Sequence, residues 1–422
     1  MNKKFSHGWA QVFVALLVQG VSIGAVYFTY GLVAVSFGET FQADRMVLML
    51  GVTCIMITSG IISPWAGVWL DRYPIKRLML IGVLCLSGGY LALSFVTAMW
   101  QVLIIYGSLI AVATTLAGPL AANTLLVRWF HQRRTLALGI AAAGTSLGGL
   151  AFPLLLQWLI DSFEWRAAFQ ILSAIILVCS APWIILLIVN HPADRDLHPD
   201  GAAAPVSQDS LQQHQALHFS NTKAFMRSKS FWAIAFVAGA LTAVQTAMLA
   251  NLVPFVTDSG ATASSAALLL SLLAATSVLG KLLFGIVGDR IDLRVAFAGT
   301  LIVQCIALGC FLSNQQFAVL ALGTVLLGLA SGGMLPIWGG IVGQVFGADN
   351  YGRAMGLMTP IITLLALTAP PLAGYAYDVS GNYSLAFSGF IVVLALATLT
   401  LPLIRIKHRE PDGAELSEAT AA

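Results

Sequence analysis

Twelve long apolar runs follow one another along this sequence of 422 residues, and each is long enough to cross a lipid bilayer. The hydrocarbon core is about 30 Å thick, so crossing it requires roughly 20 helical residues. Backbone polar groups in lipid must be satisfied within the segment, and each run is therefore predicted to be a helix. The predicted spans are 10–37, 47–70, 78–98, 101–127, 135–160, 167–189, 231–256, 264–287, 295–313, 316–344, 354–376 and 384–404.

The composition agrees with a protein whose solvent is lipid. Hydrophobic residues make up 58% of the chain and charged residues only 9%. Soluble domains carry about 25% charged residues, so this chain could not cover itself with a water-compatible surface. The net charge of +3 is small and the basic residues are dispersed, which argues against a nucleic-acid partner. We predict an all-α polytopic membrane protein whose partner is the lipid bilayer.

A polar segment separates the first six spans from the last six. It carries Pro192, Pro199 and Pro205 together with a run of polar side chains, which is typical of a mostly disordered linker. The expected organisation is an N-terminal six-helix bundle (1–189), a linker (190–229), a C-terminal six-helix bundle (230–404) and a tail (405–422).

Basic residues predict the orientation of the chain. Eighteen of the 21 Lys and Arg residues fall in the even-numbered connections and the two termini, whereas the opposite side holds only Arg45 and Arg166. Because cytoplasmic loops carry the excess of Lys and Arg, both termini and the linker are predicted to be cytoplasmic. The expected location is the inner (cytoplasmic) membrane.

Two loops repeat the same spacing 218 residues apart. One is Gly67-Val-Trp-Leu-Asp71-Arg72-Tyr-Pro-Ile-Lys76, after the second span, and the other is Gly285-Ile-Val-Gly-Asp289-Arg290-Ile-Asp-Leu-Arg294, after the eighth. A weaker match relates Phe130-His-Gln-Arg-Arg to Phe346 and Arg353. Equivalent positions in two six-span halves indicate duplication.

These loops resemble the signature loops of the major facilitator superfamily. The resemblance implies twelve helices in two pseudo-symmetric halves and a cytoplasmic gate, in which each Asp pairs with Arg and a neighbouring helix terminus. The alternative is that the loops carry only ordinary topological charge, which would account for the arginines but not for the paired aspartates. The predicted gate residues are Asp71, Arg72, Asp289, Arg290, Arg133, Arg134 and Arg353.

A finer resemblance begins with Arg128-Trp-Phe-His-Gln-Arg-Arg at the entry of the fifth span. It is similar to the monocarboxylate transporter and oxalate/formate antiporter branch of that superfamily. The stretches Asn251-Leu-Val-Pro-Phe-Val-Thr-Asp258 and Pro370-Pro-Leu-Ala-Gly-Tyr-Ala-Tyr-Asp378 resemble the same branch.

Lys281, in the eighth span, is the one charged residue predicted to lie inside the hydrocarbon. Every Asp and Glu maps to a loop or a span end, and all seven histidines fall in loops or termini. Three interpretations are open: Lys281 snorkels to the surface, it is neutral and structural, or it faces a central cavity and binds an anion. The branch resemblance supports the third, because its members place a basic residue, usually Arg, here to bind the substrate carboxylate.

Six further side chains are candidates to contact a substrate. For each, packing between helices is a competing explanation. They are Tyr27 and Tyr30 in span one, Asn123 in span four, Gln245 and Asn251 in span seven, and Trp338 in span ten.

The predicted function is secondary active transport of small organic anions, namely mono- or dicarboxylates, by alternating access, with Lys281 as the carboxylate-binding cation. Protons or a counter-anion are possible coupling partners. The alternative is transport or efflux of neutral or cationic molecules with a structural Lys281; a non-transporting membrane sensor is a third hypothesis. No catalytic set, cofactor motif or metal site is found in the sequence, so no enzyme activity is predicted.

Overall fold

The structure is a computed structural model that describes residues 3–201, 222–258, 262–313 and 316–406, and the ordered elements in these ranges are helical. The first half, which we call the N-half, contains α1 to α6. These are α1 (Lys3–Ile23, a π-helical turn at Gly24–Phe28, and Tyr30–Phe41), α2 (Arg45–Arg72), α3 (Ile75–Leu93), α4 (Met99–Ile105, a π-helical turn at Tyr106–Ile110, Ala111–Leu116 and Pro119–Trp129), and α5 with α6 (together Arg134–Leu187).

The second half, the C-half, contains α7 to α12. These are α7 (Lys229–Asp258), α8 (Ala263–Gly288), α9 (Leu293–Ser313), α10 (Phe317–Phe346), α11 (Tyr351–Ser380) and α12 (Ser384–Thr400). A short helix, Thr222–Arg227, precedes α7.

Eleven helices in the described residues are long and apolar enough to cross a membrane, and one of them is a double span. Arg134–Leu187 has 54 residues, which at 1.5 Å per residue would measure about 80 Å as one straight helix. Glu164 interrupts it with a non-helical backbone (φ 66°, ψ 150°), so α5 is 134–163 and α6 is 165–187. The prediction of twelve spans in two halves is confirmed.

Alternation of the helices gathers one set of connections at a single end of the bundle. This set comprises residue 3, the connections 73–74, 130–133, 289–292 and 347–350, the described parts of 188–228, and residues 401–406; we call it the basic end. Hydrogen bonds tie the helices together near this end, for example from Trp129 Nε1 of α4 to the Val189 carbonyl (3.0 Å) and from Gln11 Nε2 of α1 to the Leu187 carbonyl at the end of α6 (2.8 Å). The basic end is the side predicted to be cytoplasmic.

The first part of the linker is ordered, which differs from the prediction of disorder. Residues 190–201 contain two short 3-10 turns, and Asn190 Oδ1 accepts a hydrogen bond from the Lys76 amide (3.1 Å). Disorder was therefore a wrong expectation for residues 190–201, because their polar groups find partners on the N-half. Residues 202–221 lie outside the described residues, as does most of the predicted tail.

Two breaks shape the inner helices of the N-half. In α1 the π-helical turn leaves the Ala25 carbonyl accepting hydrogen bonds from the hydroxyls of Thr29 and Tyr90, which stabilise the irregular turn. In α4 the chain is extended at Gly118, and Pro119 starts a new helical segment. Tyr27 lies in the first of these irregular segments, and Asn123 follows the second.

Candidate substrate-binding site

Lys281 lies on α8 where this helix crosses α5 of the other half. It is seven residues before the end of α8, so its Cα is about 10 Å from that end. Gly139 permits the close approach, since a Cβ there would overlap the Lys281 carbonyl oxygen. The side chain is buried, with 8% of its surface exposed.

The Lys281 ammonium points away from the basic end and bonds to two hydroxyls of α5. Nζ donates to Thr145 Oγ1 (2.7 Å) and to Ser146 Oγ (2.6 Å). Thr145 lies six residues further along α5 than Gly139, or about 9 Å further from the basic end. This direction follows from helix geometry, because side chains tilt toward the N-terminus of their helix, and α8 begins at the opposite end. Lys281 therefore does not snorkel to the basic end in this conformation.

Neutral groups surround this cation in the described part of the chain. There, no carboxylate oxygen lies within 4 Å of Nζ; the ion pair recorded is Arg294–Asp292 at 2.6 Å, at the start of α9. Asp289 follows the last residue of α8 and is eight residues beyond Lys281, or about 12 Å away along the helix axis. The structure thus places a buried cation between the halves with hydroxyls as its partners.

The N-half candidates divide between packing and a polar cluster. The Tyr30 hydroxyl donates to the Leu48 carbonyl, and its ring packs against Tyr106, which ties α1 to α2 and α4. Tyr27 interacts with the Thr114 side chain of α4. These contacts tie both tyrosines to neighbouring helices of the N-half, and among the described residues no hydrogen bond joins either of them to Lys281.

Asn123 belongs to a buried cluster that crosses between the halves. Its Oδ1 accepts a hydrogen bond from Gln19 Nε2 (3.3 Å), and both side chains are at most 1% exposed. The Tyr351 hydroxyl, at the start of α11, lies beside Asn123 and Arg134 but forms no hydrogen bond of normal geometry.

The C-half candidates are dispersed. Asn251 Nδ2 donates to the Ala247 carbonyl (2.9 Å), and the Tyr383 hydroxyl approaches its Oδ1 at 3.5 Å, near the end opposite the basic end. Gln245 is partly exposed. Trp338 of α10 is 7% exposed and packs in the core. Among the described residues, no hydrogen bond joins any of these three side chains to Lys281.

Two aspartates close the basic end in a symmetric way. Asp71, at the end of α2, accepts hydrogen bonds from the amides of Gly352 (2.9 Å) and Arg353 (2.8 Å) at the start of α11. Asp289, after α8, accepts them from Thr135 (2.7 Å) and Leu136 (3.0 Å) at the start of α5. Each carboxylate thereby binds the N-terminus of a helix in the other half, where unpaired amides and the helix dipole favour negative charge.

The arginines predicted at the gate have different environments. Arg72, Arg133 and Arg290 are exposed. Arg134 is 8% exposed and donates from Nε to the Phe130 carbonyl (3.1 Å). Arg353 supplies its backbone amide to Asp71.

Two further contributors at the basic end were not identified from the sequence. Arg128 donates from Nη2 to the Leu70 carbonyl at the end of α2 (2.7 Å). Asp200 of the linker accepts hydrogen bonds from three consecutive amides, His131 (2.9 Å), Gln132 (2.8 Å) and Arg133 (3.4 Å), just before α5. Burial raises the pKa of Asp289, and the charge of Asp200 adds to this increase.

Comparison with known families shows which superfamily this chain belongs to. A sequence profile described as Major Facilitator Superfamily matches residues 12–256 and 235–421, which together span both halves. This chain belongs to the major facilitator superfamily. It is accordingly a multi-pass membrane transporter and not an enzyme.

Curated relatives in this superfamily carry the predicted branch name. The chain is 28% identical over 352 residues to monocarboxylate transporter 12 of Xenopus laevis, covering 78% of this chain and 74% of the relative. It is 27% identical over 404 residues to monocarboxylate transporter 13 of Rattus norvegicus, covering 94% and 89%. The predicted resemblance to the monocarboxylate transporter branch is confirmed.

Solved structures of the superfamily share the fold. The proton:xylose symporter XylE, bound to 6-bromo-6-deoxy-D-glucose, superposes with a TM-score of 0.74 at 14% identity, covering 93% of this chain and 95% of that one. A bacterial homologue of the iron transporter ferroportin, in an outward-facing state, gives 0.71 at 15% identity, covering 94% and 98%. At these identities the likeness concerns the fold alone.

Proposed function

We propose that this transporter carries small organic anions, namely mono- or dicarboxylates, and that Lys281 binds the substrate carboxylate. The observation that carries the proposal is the position of Lys281: it is buried between the halves and bonded to two hydroxyls. A charge in the hydrocarbon region costs at least about 2.5–3.5 kcal/mol, and such residues generally serve a substrate or ion pathway.

Charge balance favours an anion as the substrate. Hydroxyl oxygens solvate an ammonium but do not neutralise it, so a carboxylate arriving with the substrate would supply the missing negative charge. Two relatives of this chain are named monocarboxylate transporter 12 and monocarboxylate transporter 13, and these names support the same substrate class.

The basic-end contacts support alternating access. Asp71, at the end of α2, binds the start of α11, and Asp289, after α8, binds the start of α5. The two helix pairs α2–α11 and α5–α8, which join the halves, are therefore closed at the basic end. We infer that these four hydrogen bonds are latches, which open when the halves rock and expose Lys281 to the side predicted to be cytoplasmic.

Lys281→Ala provides the test. Purified protein is heated in the presence of L-lactate, pyruvate, formate or oxalate, with neutral and cationic solutes beside them, and uptake is measured in proteoliposomes. We expect at least one carboxylate to raise the Tm, and both this shift and uptake to be lost in Lys281→Ala. Lys223→Ala, which removes an exposed lysine from the short helix Thr222–Arg227 before α7, is the matched control and should behave as the wild type.

Two results would reject the proposal. One is stabilisation by neutral or cationic solutes and not by carboxylates. The other is carboxylate uptake by Lys281→Ala at the wild-type rate, at equal protein abundance in the membrane.

A further inference from the structure

Thr145 and Ser146 of α5 hold the ammonium of Lys281 in this conformation. The two hydrogen bonds, 2.7 and 2.6 Å long, involve an ionised donor and therefore belong to the stronger class of hydrogen bonds. Together they use two of the three protons on Nζ. Because α5 belongs to the N-half and α8 to the C-half, this contact also bridges the halves at the depth of the proposed site.

The proton of the Thr145 hydroxyl has a different partner. Thr145 Oγ1 donates to the Ala142 carbonyl at 2.8 Å, so its oxygen presents lone pairs to Lys281. A carboxylate can only accept hydrogen bonds, so Thr145 could bind one only by giving up the Ala142 carbonyl. Thr145 therefore accepts a hydrogen bond from Lys281, as a carboxylate oxygen would. It is not arranged to donate one to a carboxylate.

We propose that the Thr145–Ser146 hydroxyl pair is an internal substitute for the substrate carboxylate, which holds Lys281 in the empty transporter and is displaced when substrate binds. The inference rests on the proposed function and extends it to two residues that position the binding cation. One carboxylate group offers two oxygens, enough to replace both hydroxyls. Displacement would also break a bridge between α5 and α8, so that anion binding loosens the contact between the halves.

Affinity in a double variant tests the substitution directly. Thr145→Val/Ser146→Ala removes both competing acceptors while Lys281 remains, and binding of L-lactate and oxalate to the full-length protein is measured by calorimetry. Since hydrogen bonds to a charged group contribute appreciably, we expect the Kd of the bound carboxylate to fall by about tenfold. Unchanged or weaker binding would overturn the inference, and weaker binding would identify the hydroxyls as direct substrate ligands.

A matched variant outside the site controls for the loss of a buried hydroxyl. Ser173→Ala removes a buried hydroxyl that bonds Ser87 within the N-half, away from Lys281. It should lower the Tm without changing the Kd.

A second measurement needs no ligand. The double variant should lower the Tm of the empty protein, and most of that decrease should disappear in a Lys281→Met background, where the hydroxyls have no cation to hold. An equal decrease in both backgrounds would overturn the inference. Failure of every carboxylate to bind the wild type would reject the proposed function and the inference with it, whereas binding without the gain in affinity would reject the inference alone.

Discussion

The two halves are joined at two levels, and the chemistry differs between them. At the basic end, carboxylates of Asp71 and Asp289 bind backbone amides at helix N-termini. About 13 Å further along α5 from Leu136, the cation of Lys281 binds the hydroxyls of Thr145 and Ser146. The first contact matches opposite partial charges, whereas the second leaves a positive charge without a negative one nearby in the described residues.

This difference assigns closure of the basic end to the aspartates and substrate binding to Lys281. Backbone amides remain at a helix terminus whichever side chains it carries, so a carboxylate aimed at them serves as a latch in the empty and loaded states alike. Hydroxyls are weaker partners for an ammonium than a carboxylate is, and a substrate can replace them. We therefore expect variants at the two levels to affect different steps of transport.

Removing both latches is expected to have the largest effect, because it should open the basic end without removing the binding site at Lys281. Asp71→Ala/Asp289→Ala leaves four helix-terminal amides without their caps, and losing a cap costs about 0.5–2 kcal/mol. One or two kcal/mol changes a two-state ratio by about 5–30-fold. We expect the basic end to open, seen as a longer distance between spin labels at the exposed positions Gln132 and Ile291, while the Kd of carboxylate changes by less than about threefold.

Lys281→Ala is the complementary variant, which removes the binding cation and leaves both latches in place. It should abolish carboxylate binding while the label distance stays that of the closed basic end. The separation of closing from binding would be wrong if the latch variant lost binding as severely as Lys281→Ala, or if its label distance stayed that of the closed state.

The contacts at the basic end and at Lys281 could be predicted from the sequence only where a local sequence pattern marks the residues. Span length and hydropathy predict the twelve helices, and the repeated spacing identifies Asp71 and Asp289, which do reach the other half. Asp200 is a single acid in a proline-containing segment, without a repeat to mark it. Its three amide partners become visible only when the linker is folded back on the N-half.

The partners of Lys281 could not be predicted for a related reason. Ser and Thr in spanning helices often bond to their own backbone, as Thr145 does with Ala142, so their presence in span five carries little signal. The contact with Lys281 depends on where α5 crosses α8, which Gly139 permits through close backbone approach. Tyr30 was a candidate for substrate contact or for packing between helices, and in the structure its hydroxyl donates to the Leu48 carbonyl.

A smaller effect is expected from the tyrosine beside the latch. The Tyr351 hydroxyl lacks a hydrogen bond of normal geometry, whereas the Tyr90 hydroxyl bonds the Ala25 carbonyl in the π-helical turn. Removing a bonded buried hydroxyl costs about 1 kcal/mol, and removing an unbonded one is neutral or stabilising. We expect Tyr90→Phe to lower the Tm by about 2 °C and Tyr351→Phe to leave it unchanged or raise it. A larger decrease for Tyr351→Phe would mean that the closed basic end depends on this hydroxyl as well as on the carboxylates.

The smallest expected effect is a dependence of the Asp289 latch on pH. Burial raises the pKa of Asp289 above its ordinary value of 3.8, the charge of Asp200 raises it further, and the amides of Leu136 and Thr135 oppose the increase. Once the basic end opens, Asp289 is exposed to water and its pKa returns toward the ordinary value. The closed state therefore binds the proton more tightly, so acidification favours closure, and this contribution is lost as the pH rises through the raised pKa.

The distance between spin labels at Gln132 and Ile291 should shift toward the closed value as the pH falls from neutral toward 3.8. The shift should be smaller in Asp289→Asn, which cannot titrate, and in Asp200→Asn, which removes the neighbouring charge. An undiminished shift in Asp289→Asn would assign the pH dependence to another group and leave the latch as a contact that does not respond to protons.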